Sequence, residues 1–541
     1  MNLGNILVAK GLVSAADIQR AVEHQIVNGG RIGDSIVGLG LLKKEQIEKV
    51  LSEAPQAPIS VNDTGVDSAL LLELAIKGMY SENLETATQI AEMLKLSSAI
   101  VNQLLQEAKD RKLVENLVAT SSTAGSMAEM RMTLTKSGRE WAVDAMNRGQ
   151  YYGPAPVSLQ DFQDRILLQR VTNEHVTRET LNKAFESLVM TDRFVSRLGP
   201  AINSGNAILI YGPAGNGKTT VAEIIGKIFQ NVIYVPYCVE IDGEIMKVFD
   251  PAIHRQVAGA TDQQGPANLR RNRVDMRWIA CYRPLVMTGG ELTIEMLDMK
   301  YNPVAKFYEA PLHIKALNGT FLIDDFGRQR AKPEDILNRW IVPLNSRVDY
   351  LTTNTGKSIK IPFDEIVIFS TNMHPDDLMD PAFQRRISYK LETVEPEEDL
   401  FFRVFSNFAA KAGLVALPDI YRRIVDTVRA NKAPLAYFQP KFIVEQVLAS
   451  CKFEGISPQF TMDNVDDALA NLFVKKNDGR MFGVSRSIQA LKNNTEDVKT
   501  SVVEFKPNPV DIKPDAARLN LPDLKPSLTD INPAWRLTST A

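Results

Sequence analysis

The spacing of hydrophobic and polar residues changes several times along the chain and divides it into segments. Within residues 1–54, apolar residues recur with a period of 29, so that Ile18 corresponds to Ile47. Because equivalent positions in two copies should fold alike, this repeat predicts two similar small helical units. Residues 55–64 hold turn-forming residues without an apolar period, which predicts a linker.

The next segment, residues 65–150, has helical spacing in three places, then two short strand patterns and a last helix. The predicted helices lie near 66–79, 85–94 and 98–112, and the predicted strands, 113–118 and 131–134, flank a Ser/Thr/Gly-rich tip. This order resembles a winged helix, with the third helix in the recognition position. The resemblance implies a module that docks either on DNA or on another protein.

Residues 158–396 alternate helical patterns with apolar strands, which predicts an α/β domain with a parallel sheet. Residues 397–495 lack strand patterns and predict a helical lid, with helices near 397–412, 419–430, 441–452 and 462–475. Residues 504–541 are rich in proline and without periodicity, which predicts an extended or disordered tail. The chain is therefore predicted to be multidomain and mainly α/β.

A buried-strand pattern at residues 207–211 runs directly into a glycine-rich loop with the spacing GxxxxGK[ST]. Glycines let backbone N–H groups curl around phosphate oxygens, Lys218 supplies positive charge to the β and γ phosphates, and Thr219 offers a hydroxyl to magnesium. The sequence therefore predicts a site for ATP and Mg²⁺. The residues expected to bind the nucleotide are Gly212, Pro213, Ala214, Gly215, Asn216, Gly217, Lys218, Thr219 and Thr220.

A second apolar strand pattern, residues 319–323, ends in two aspartates. We expect Asp324 to lie on the metal side with Thr219, and Asp325 to orient or deprotonate the attacking water. A pair of aspartates after a strand is often only a solvated strand end. The preceding phosphate loop favours the catalytic interpretation.

Two later segments make residues 158–475 resemble AAA+ ATPases, an αβα sandwich with a C-terminal helical lid. The strand pattern 366–371 followed by Asn372 resembles the family's sensor 1, which implies that Asn372 holds the lytic water. The segment ending at Arg386 resembles the arginine-finger segment. It implies that Arg386, or alternatively Arg385, reaches the γ-phosphate of a neighbouring subunit in a homo-oligomer such as a hexameric ring. The other interpretation is a pair of surface arginines in ion pairs.

Several features depart from the family pattern. Lys441 stands where the lid usually carries a sensor 2 arginine, with Arg486 as a rival position, and Asp325 stands where the family usually has glutamate. Lys218 and Asp324 are 106 positions apart, which implies an insertion. Basic and aromatic residues are interleaved there, which suits either nucleic acid or a basic subunit-contact surface: Arg270, Arg271, Arg273, Arg277, Trp278 and Tyr282.

The N-terminal repeat resembles the cyclic di-GMP-binding MshEN domain of type II secretion and type IV pilus ATPases. The matching positions are Leu3, Gly4, Leu7, Val8, Gly11, Leu12, Val13, Ile18, Val22 and Gln25 in one copy and Arg31, Ile32, Gly33, Ile36, Val37, Gly40, Leu41, Leu42, Ile47 and Leu51 in the other. Asn2 replaces an arginine that could stack on guanine, and Ala54 replaces a glutamine. The resemblance implies regulation by cyclic di-GMP and a link to secretion or pilus-type systems. The ATPase domain itself differs from that of those secretion motors, because residues 366–386 follow the AAA+ pattern.

Composition narrows the partners. The 62 Lys and Arg nearly balance the 65 Asp and Glu, so no global field attracts nucleic acid or anionic lipid. Within residues 65–150, eleven acidic residues outnumber nine basic ones, which favours a protein partner over DNA for the winged helix. Three separated cysteines fit a reducing cytoplasm, and the lack of a leader pattern or of an apolar run near ~20 residues predicts neither export nor membrane insertion.

The function predicted from these features is an oligomeric ATP-driven remodeller or motor regulated through its N-terminal modules. Two alternatives stay open at this point. One is a nucleotide-gated signalling switch that barely hydrolyses ATP, and the other is a DNA-binding regulator that uses the winged helix.

Overall fold

A computed structural model describes residues 4, 7–8, 11–28, 32–44, 46–47, 54–117, 130–186, 188, 190–229, 231–257 and 274–473. Sequence predictions on other positions fall outside these ranges: Asn2, Leu3, Arg31, Leu51, residue 118, the Ser/Thr/Gly-rich tip after it, Arg270, Arg271, Arg273, Arg486, residues 475–495 and residues 504–541.

The α-helices of the described residues are α1 Ala15–Asn28, α2 Ile32–Gly38, α3 Ser68–Glu82, α4 Ala87–Leu94, α5 Ser98–Asp110, α6 Lys136–Arg148, α7 Leu159–Leu168, α8 Arg178–Ala184, α9 Asp192–Ser204, α10 Lys218–Ile228, α11 Leu312–Lys315, α12 Pro333–Arg339, α13 Ile341–Ser346, α14 Pro375–Leu378, α15 Pro381–Arg386, α16 Glu398–Lys411, α17 Pro418–Ala430, α18 Phe438–Glu454 and α19 Met462–Leu472. The strands are β1 Val114–Asn116, β2 Met132–Leu134, β3 Ile208–Tyr211, β4 Val232–Pro236, β5 Cys238–Ile241, β6 Glu244–Lys247, β7 Trp278–Tyr282, β8 Leu285–Thr288, β9 Lys300–Asn302, β10 Phe307–Glu309, β11 Thr320–Ile323, β12 Val348–Thr352, β13 Ser358–Pro362, β14 Ile366–Thr371 and β15 Tyr389–Glu392.

The two N-terminal copies contain the same backbone turn. In each copy a glycine with positive φ, 66° at Gly11 and 67° at Gly40, donates its N–H to the carbonyl three residues earlier. Ile18 and its equivalent Ile47 are buried in one shared apolar cluster. Because a left-handed residue that ends a helical turn favours glycine, the glycine of the 29-residue period has a structural cause.

Residues 68–148 contain three helices, the antiparallel pair β1–β2 and the helix α6. Capping side chains explain where the helices begin. Thr86 and Gln89 form a capping box at α4, and Thr135 accepts a hydrogen bond from the N–H of Gly138 at α6. The helix α5 buries an apolar face that includes Leu104 and Leu105 against the other helices.

Five parallel strands form the central sheet, in the order β15-β3-β14-β11-β8. Successive residues of β3 face opposite sides, so that Ile208 and Ile210 pack against α8, α9 and α10 while Leu209 packs on the face covered by α12 and α15. Continuous apolar strands of this kind are typical of a sheet covered on both faces. The predicted α/β class with a parallel sheet is confirmed.

The insertion between α10 and β11 is rich in β-structure. The strands β4 and β7 form an antiparallel pair, and β5, β6, β10 and β9 form a four-stranded sheet. Val239 and Ile241 of β5 share an apolar cluster with Phe162 of α7. The extra length between Lys218 and Asp324 therefore builds a small subdomain of its own.

Residues 55–64, predicted as a linker, pack against this insertion. Gln56 forms an antiparallel bridge with Val274, and on the other side of the second module Val157 forms a parallel bridge with Val239. Backbone hydrogen bonds of this kind fix a segment in place. The segment predicted as a linker at 55–64 is therefore anchored, through Gln56 and Val274, to a distant part of the sequence.

Arg277 is the buried centre of this junction. Its guanidinium donates to both carboxylate oxygens of Asp275 at 2.8 to 3.1 Å, and its Nη1 donates to the carbonyl oxygens of Thr64 and Pro156 at 2.9 Å. Only 3% of the side chain is exposed. The prediction that Arg277 contacts nucleic acid or a neighbouring subunit was therefore wrong, and Trp278 is also buried.

The four helices α16 to α19 form a separate bundle after the sheet. Its core contains Phe401 and Phe405 of α16, Ile424 of α17, Val447 of α18 and Val465 of α19. In α17 the buried positions recur at helical spacing, which is why this stretch forms an amphipathic helix. We call this bundle the lid.

Candidate functional site

The phosphate loop follows β3 and depends on glycine at three positions. Gly212, Gly215 and Gly217 have φ values of 138°, 79° and 76°, which side chains other than glycine adopt rarely. A Cβ atom at Gly212 would lie 2.2 Å from the carbonyl oxygen of Thr393. The helix α10 then begins at Lys218, so that the loop and the amino-terminal end of a helix share one site.

Lys218 lies inside the loop with its side chain almost fully enclosed. Its Nζ donates to the carbonyl oxygens of Gly212 and Pro213 at 3.0 and 2.9 Å and to Oδ1 of Asn372 at 2.6 Å. Burial lowers the pKa of Lys218, while the nearby Asp325 and Asp324 act in the opposite direction.

Thr219 and Asp324 meet at the other side of the loop. The hydroxyl of Thr219 donates to Asp324, with oxygen-to-oxygen distances of 2.9 and 3.1 Å to the two carboxylate atoms. A hydroxyl and a carboxylate at this separation fit Mg²⁺, which takes a few protein oxygens and completes its shell with water and phosphate. The predicted metal residues are thus brought together from positions far apart in the sequence.

Asp325 has an unusual backbone conformation, with φ of 49°. Aspartate tolerates this left-handed region better than most residues because its short side chain can form local hydrogen bonds. Its Oδ1 accepts a hydrogen bond from Nδ2 of Asn372 at 3.1 Å. The amide of Asn372 therefore links Lys218 to Asp325, and the position of β14 between β3 and β11 explains this arrangement.

A cavity of about 860 Å³ extends from the phosphate loop to the lid. This volume lies within the range of small-molecule sites. Its second half is lined by two regions, α9 with the residues before it and the lid, and holds apolar and aromatic side chains, one neutral amide and three basic residues: Leu188, Met190, Arg193, Phe194, Arg197, Val404, Asn407, Phe408, Lys411, Tyr437 and Phe438. Sequence reasoning missed these residues, because only the folded lid brings them to the loop. Their position after the phosphate site suits the flat face of a nucleobase.

Lys441 also lines this cavity, but its Nζ lies 3.7 Å from Glu445 on the same helix. The two candidate finger residues lie at the end of α15. Arg386 turns back on its own helix, where Nη1 donates to the carbonyl oxygen of Ala382 at 3.0 Å and the guanidinium lies 5.4 Å from the ring centre of Phe383. Arg385 is exposed at the same end.

The helix in the recognition position of the second module, α5, has no basic residue at its fully exposed positions, and its one lysine, Lys109, is half-buried in the last turn. Asn102 and Gln103 are exposed on α5, whereas Ser97 caps the helix by accepting a hydrogen bond from the N–H of Ile100 at 3.4 Å. Arg131, beside the second strand, is paired with Glu85. The side chain of Ser97 is thus engaged in capping the helix and is not free to contact a base.

At the end of the N-terminal repeat, Ala54 is 2% exposed and belongs to the apolar cluster of the insertion. The position where MshEN domains carry their second glutamine therefore packs against protein. Within the described residues no helix is both long and apolar enough to cross a bilayer.

One family model matches the chain, a domain of unknown function named DUF8689, over residues 397–471, which correspond to the lid. No curated protein matches. NtrX from Brucella abortus is 16% identical with a TM-score of 0.33, covering 66% of this chain and 71% of that chain. The Thermotoga maritima RuvB Holliday junction branch migration motor is 11% identical with a TM-score of 0.29, covering 53% and 71%. Domain III of the Thermotoga maritima replication initiation protein DnaA is 11% identical with a TM-score of 0.31, covering 54% and 98%. At these TM-scores the three likenesses carry no argument about function.

Proposed function

We propose that this chain is an AAA+ ATPase that binds ATP with Mg²⁺ and hydrolyses it. The observation that carries the proposal is the convergence of five polar side chains from three parallel strands and the loop between them, joined by hydrogen bonds of 2.6 to 3.1 Å: Lys218, Thr219, Asp324, Asp325 and Asn372. Ligands of α/β proteins bind outside the carboxyl ends of the strands, where these side chains lie. The lid supports the same class.

Each side chain has a distinct task in this proposal. Lys218 exchanges its contacts with loop carbonyls and Asn372 for phosphate oxygens, because a charged acceptor binds an ammonium more strongly than a neutral one. Thr219 and Asp324 hold Mg²⁺, which neutralises charge on the phosphates when bound. Asn372 positions the attacking water, and Asp325 accepts its proton.

The proposal for assembly rests on the AAA+ resemblance, and the proposal for regulation rests on the resemblance of the N-terminal repeat to MshEN domains. We propose a homo-oligomer, with a hexameric ring as one form, in which Arg386 or Arg385 completes the site of a neighbour. The N-terminal modules would regulate this remodeller or motor, through cyclic di-GMP or through a protein partner, in a secretion or pilus-type system. The fully exposed positions of α5 hold Asp110 and no basic residue, which favours protein over DNA, because phosphate contacts dominate DNA affinity.

A second candidate, a nucleotide-gated switch with slow hydrolysis, is favoured by one observation. Asp325 is one methylene shorter than the family's glutamate, and its carboxylate is already engaged by Asn372. A base held away from water would preserve nucleotide binding and slow the chemical step. Asp325→Glu distinguishes the two: it should raise turnover if reach limits hydrolysis.

Calorimetric titration with Mg-ATP tests the proposal. Lys218→Ala should weaken binding by about 10- to 100-fold, because hydrogen bonds to charged groups contribute about 1.5 to 3 kcal/mol. Lys227→Ala is the matched control, since Lys227 lies on the same helix with 68% of its side chain exposed. Wild-type protein that takes up no Mg-ATP, or a Lys218→Ala variant that binds as well as wild type, would overturn the proposal. Sizing by light scattering with and without nucleotide, and titration with cyclic di-GMP, test the oligomer and the regulator.

A further inference from the structure

The lid contacts the phosphate loop through main-chain atoms. The N–H of Phe438, the first residue of α18, donates to the carbonyl oxygen of Gly215 at 3.0 Å, and the N–H of Tyr437 donates to Oδ1 of Asn216 at 3.4 Å. The buried side chain of Gln439 fixes the preceding turn, since its Nε2 donates to the carbonyl oxygen of Pro434 at 3.0 Å. We call residues 434–439 the lid hook.

The ring of Phe438 lies directly against Gly215. A Cβ atom at Gly215 would be 2.3 Å from Cδ1 of this ring, and the three atoms nearest to it all belong to Phe438. Asn216 is 5% exposed, and its Nδ2 is buried without a hydrogen-bond partner. The hook therefore touches the loop at two successive residues, one of which holds an unused donor.

These contacts determine the direction of a phosphate-binding group. In a trans peptide the carbonyl of one residue and the N–H of the next point in opposite directions. Because the carbonyl of Gly215 points to the lid, the N–H of Asn216 points away from it, into the loop. A lid that moves away releases this carbonyl and leaves the peptide free to rotate, since glycine has few steric limits.

We propose that Phe438 is a positioning residue for the nucleotide, which couples the position of the lid to the orientation of the Gly215–Asn216 peptide. The inference rests on the proposed function and names how the same site is regulated. The lid senses phosphate through this main-chain contact, whereas Lys441, 60% exposed and 3.7 Å from Glu445, is not held toward the loop. A bound triphosphate and a closed lid then stabilise each other.

A double-mutant cycle with Phe438→Ala and Gly215→Ala tests the coupling. Phe438→Ala should weaken Mg-ATP binding about five- to tenfold, the size of a lost aromatic contact, because alanine removes the ring and keeps the backbone N–H of residue 438. Gly215→Ala should weaken it more, because the added methyl meets the ring. The double variant should bind more tightly than the product of the two single effects predicts, since removal of the ring makes room for the methyl.

Phe453→Ala is the control, because Phe453 lies on the same helix, about 22 Å further along, and is 87% exposed. Amide hydrogen exchange over residues 436–441 gives a second measurement: Mg-ATP should slow it in wild type and leave it unchanged in Phe438→Ala. Wild-type protein that binds no Mg-ATP defeats the proposed function. The coupling is refuted, while the function stands, if wild type binds Mg-ATP but Phe438→Ala has the same affinity as Phe453→Ala. It is refuted likewise if the effects of Phe438→Ala and Gly215→Ala on affinity simply multiply in the double variant.

Discussion

Replacing Arg277 with methionine tests how strongly the insertion is joined to the segments on either side of the second module, which end at Thr64 and begin near Pro156. Methionine keeps much of the apolar stem but removes the donors to Asp275, Thr64 and Pro156. Among the described residues, Asp275, 3% exposed, would keep the backbone N–H of residue 277 and the attraction of the Arg165 guanidinium. Breaking a buried ion pair from one side costs about 3 to 5 kcal/mol, because the remaining charge loses its closest partner. That is a large part of the roughly 5 to 15 kcal/mol that stabilises a typical domain.

Urea unfolding followed by tryptophan fluorescence measures this loss, since Trp278 is buried beside the substituted position. Limited chymotrypsin digestion at Tyr151 and Tyr152 reports separately whether the junction opens. The double variant Asp275→Asn with Arg277→Met should recover part of the stability, because it removes both charges. Arg422→Met, an exposed residue 3.8 Å from Asp419, is the control and should cost less than about 1 kcal/mol. A loss below 1 kcal/mol for Arg277→Met, or a double variant no more stable than the single one, would refute the reasoning.

Three further predictions concern pH, chemistry and assembly. Burial lowers the pKa of His254 from 6.5 to about 4, so the unfolded chain takes up this proton at a higher pH than the folded protein does. The contribution of neutral His254 to the free energy of unfolding is therefore complete above pH 6.5, and about 3 kcal/mol should be lost on acidification to pH 4. Urea midpoints across that range should fall less steeply in His254→Asn, and an unchanged slope would contradict this. Asp325→Asn should keep Mg-ATP affinity within a few-fold while hydrolysis drops by about 10² to 10⁴, and turnover equal to wild type would exclude Asp325 as the base. Mixing intact subunits with Arg385→Ala or Arg386→Ala subunits should identify the finger residue as the one whose variant lowers the turnover of the mixture, and proportional activity for both would exclude a shared site.

The parallel sheet and the clustering of the phosphate-loop residues at its edge could be predicted from the sequence because their signals are local. Each signal lies within a few residues of the strand to which it belongs: the apolar run and the glycine loop at β3, and the two aspartates at β11. That Lys218 and Asn372 would meet also follows from the pattern, since carboxyl ends of parallel strands share one edge. The positive φ of Asp325, in contrast, depends on the turn after β11 and leaves no mark in the residue spacing.

The rest of the cavity depends on pairings across long stretches of sequence. Phe438 lies three residues before Lys441, the position expected to correspond to sensor 2. Only the folded lid shows that the ring of Phe438 contacts Gly215. Arg277 misled the sequence interpretation for a similar reason. A basic residue among aromatic ones has the composition of a nucleic-acid surface, and its burial becomes visible only when Asp275 and two distant carbonyls surround it.

The insertion has a mechanical consequence for the whole chain. It is docked to the second module at one end, and at the other Tyr282 ends β7 while Leu285 begins β8, the edge strand of the central sheet. Between them the buried guanidinium of Arg283 donates to the carbonyl oxygens of Gln169 and Asn318 at 3.0 and 2.6 Å. Among the described residues, a displacement of the second module would therefore be transmitted to the edge of the central sheet through the folded β-structure of the insertion.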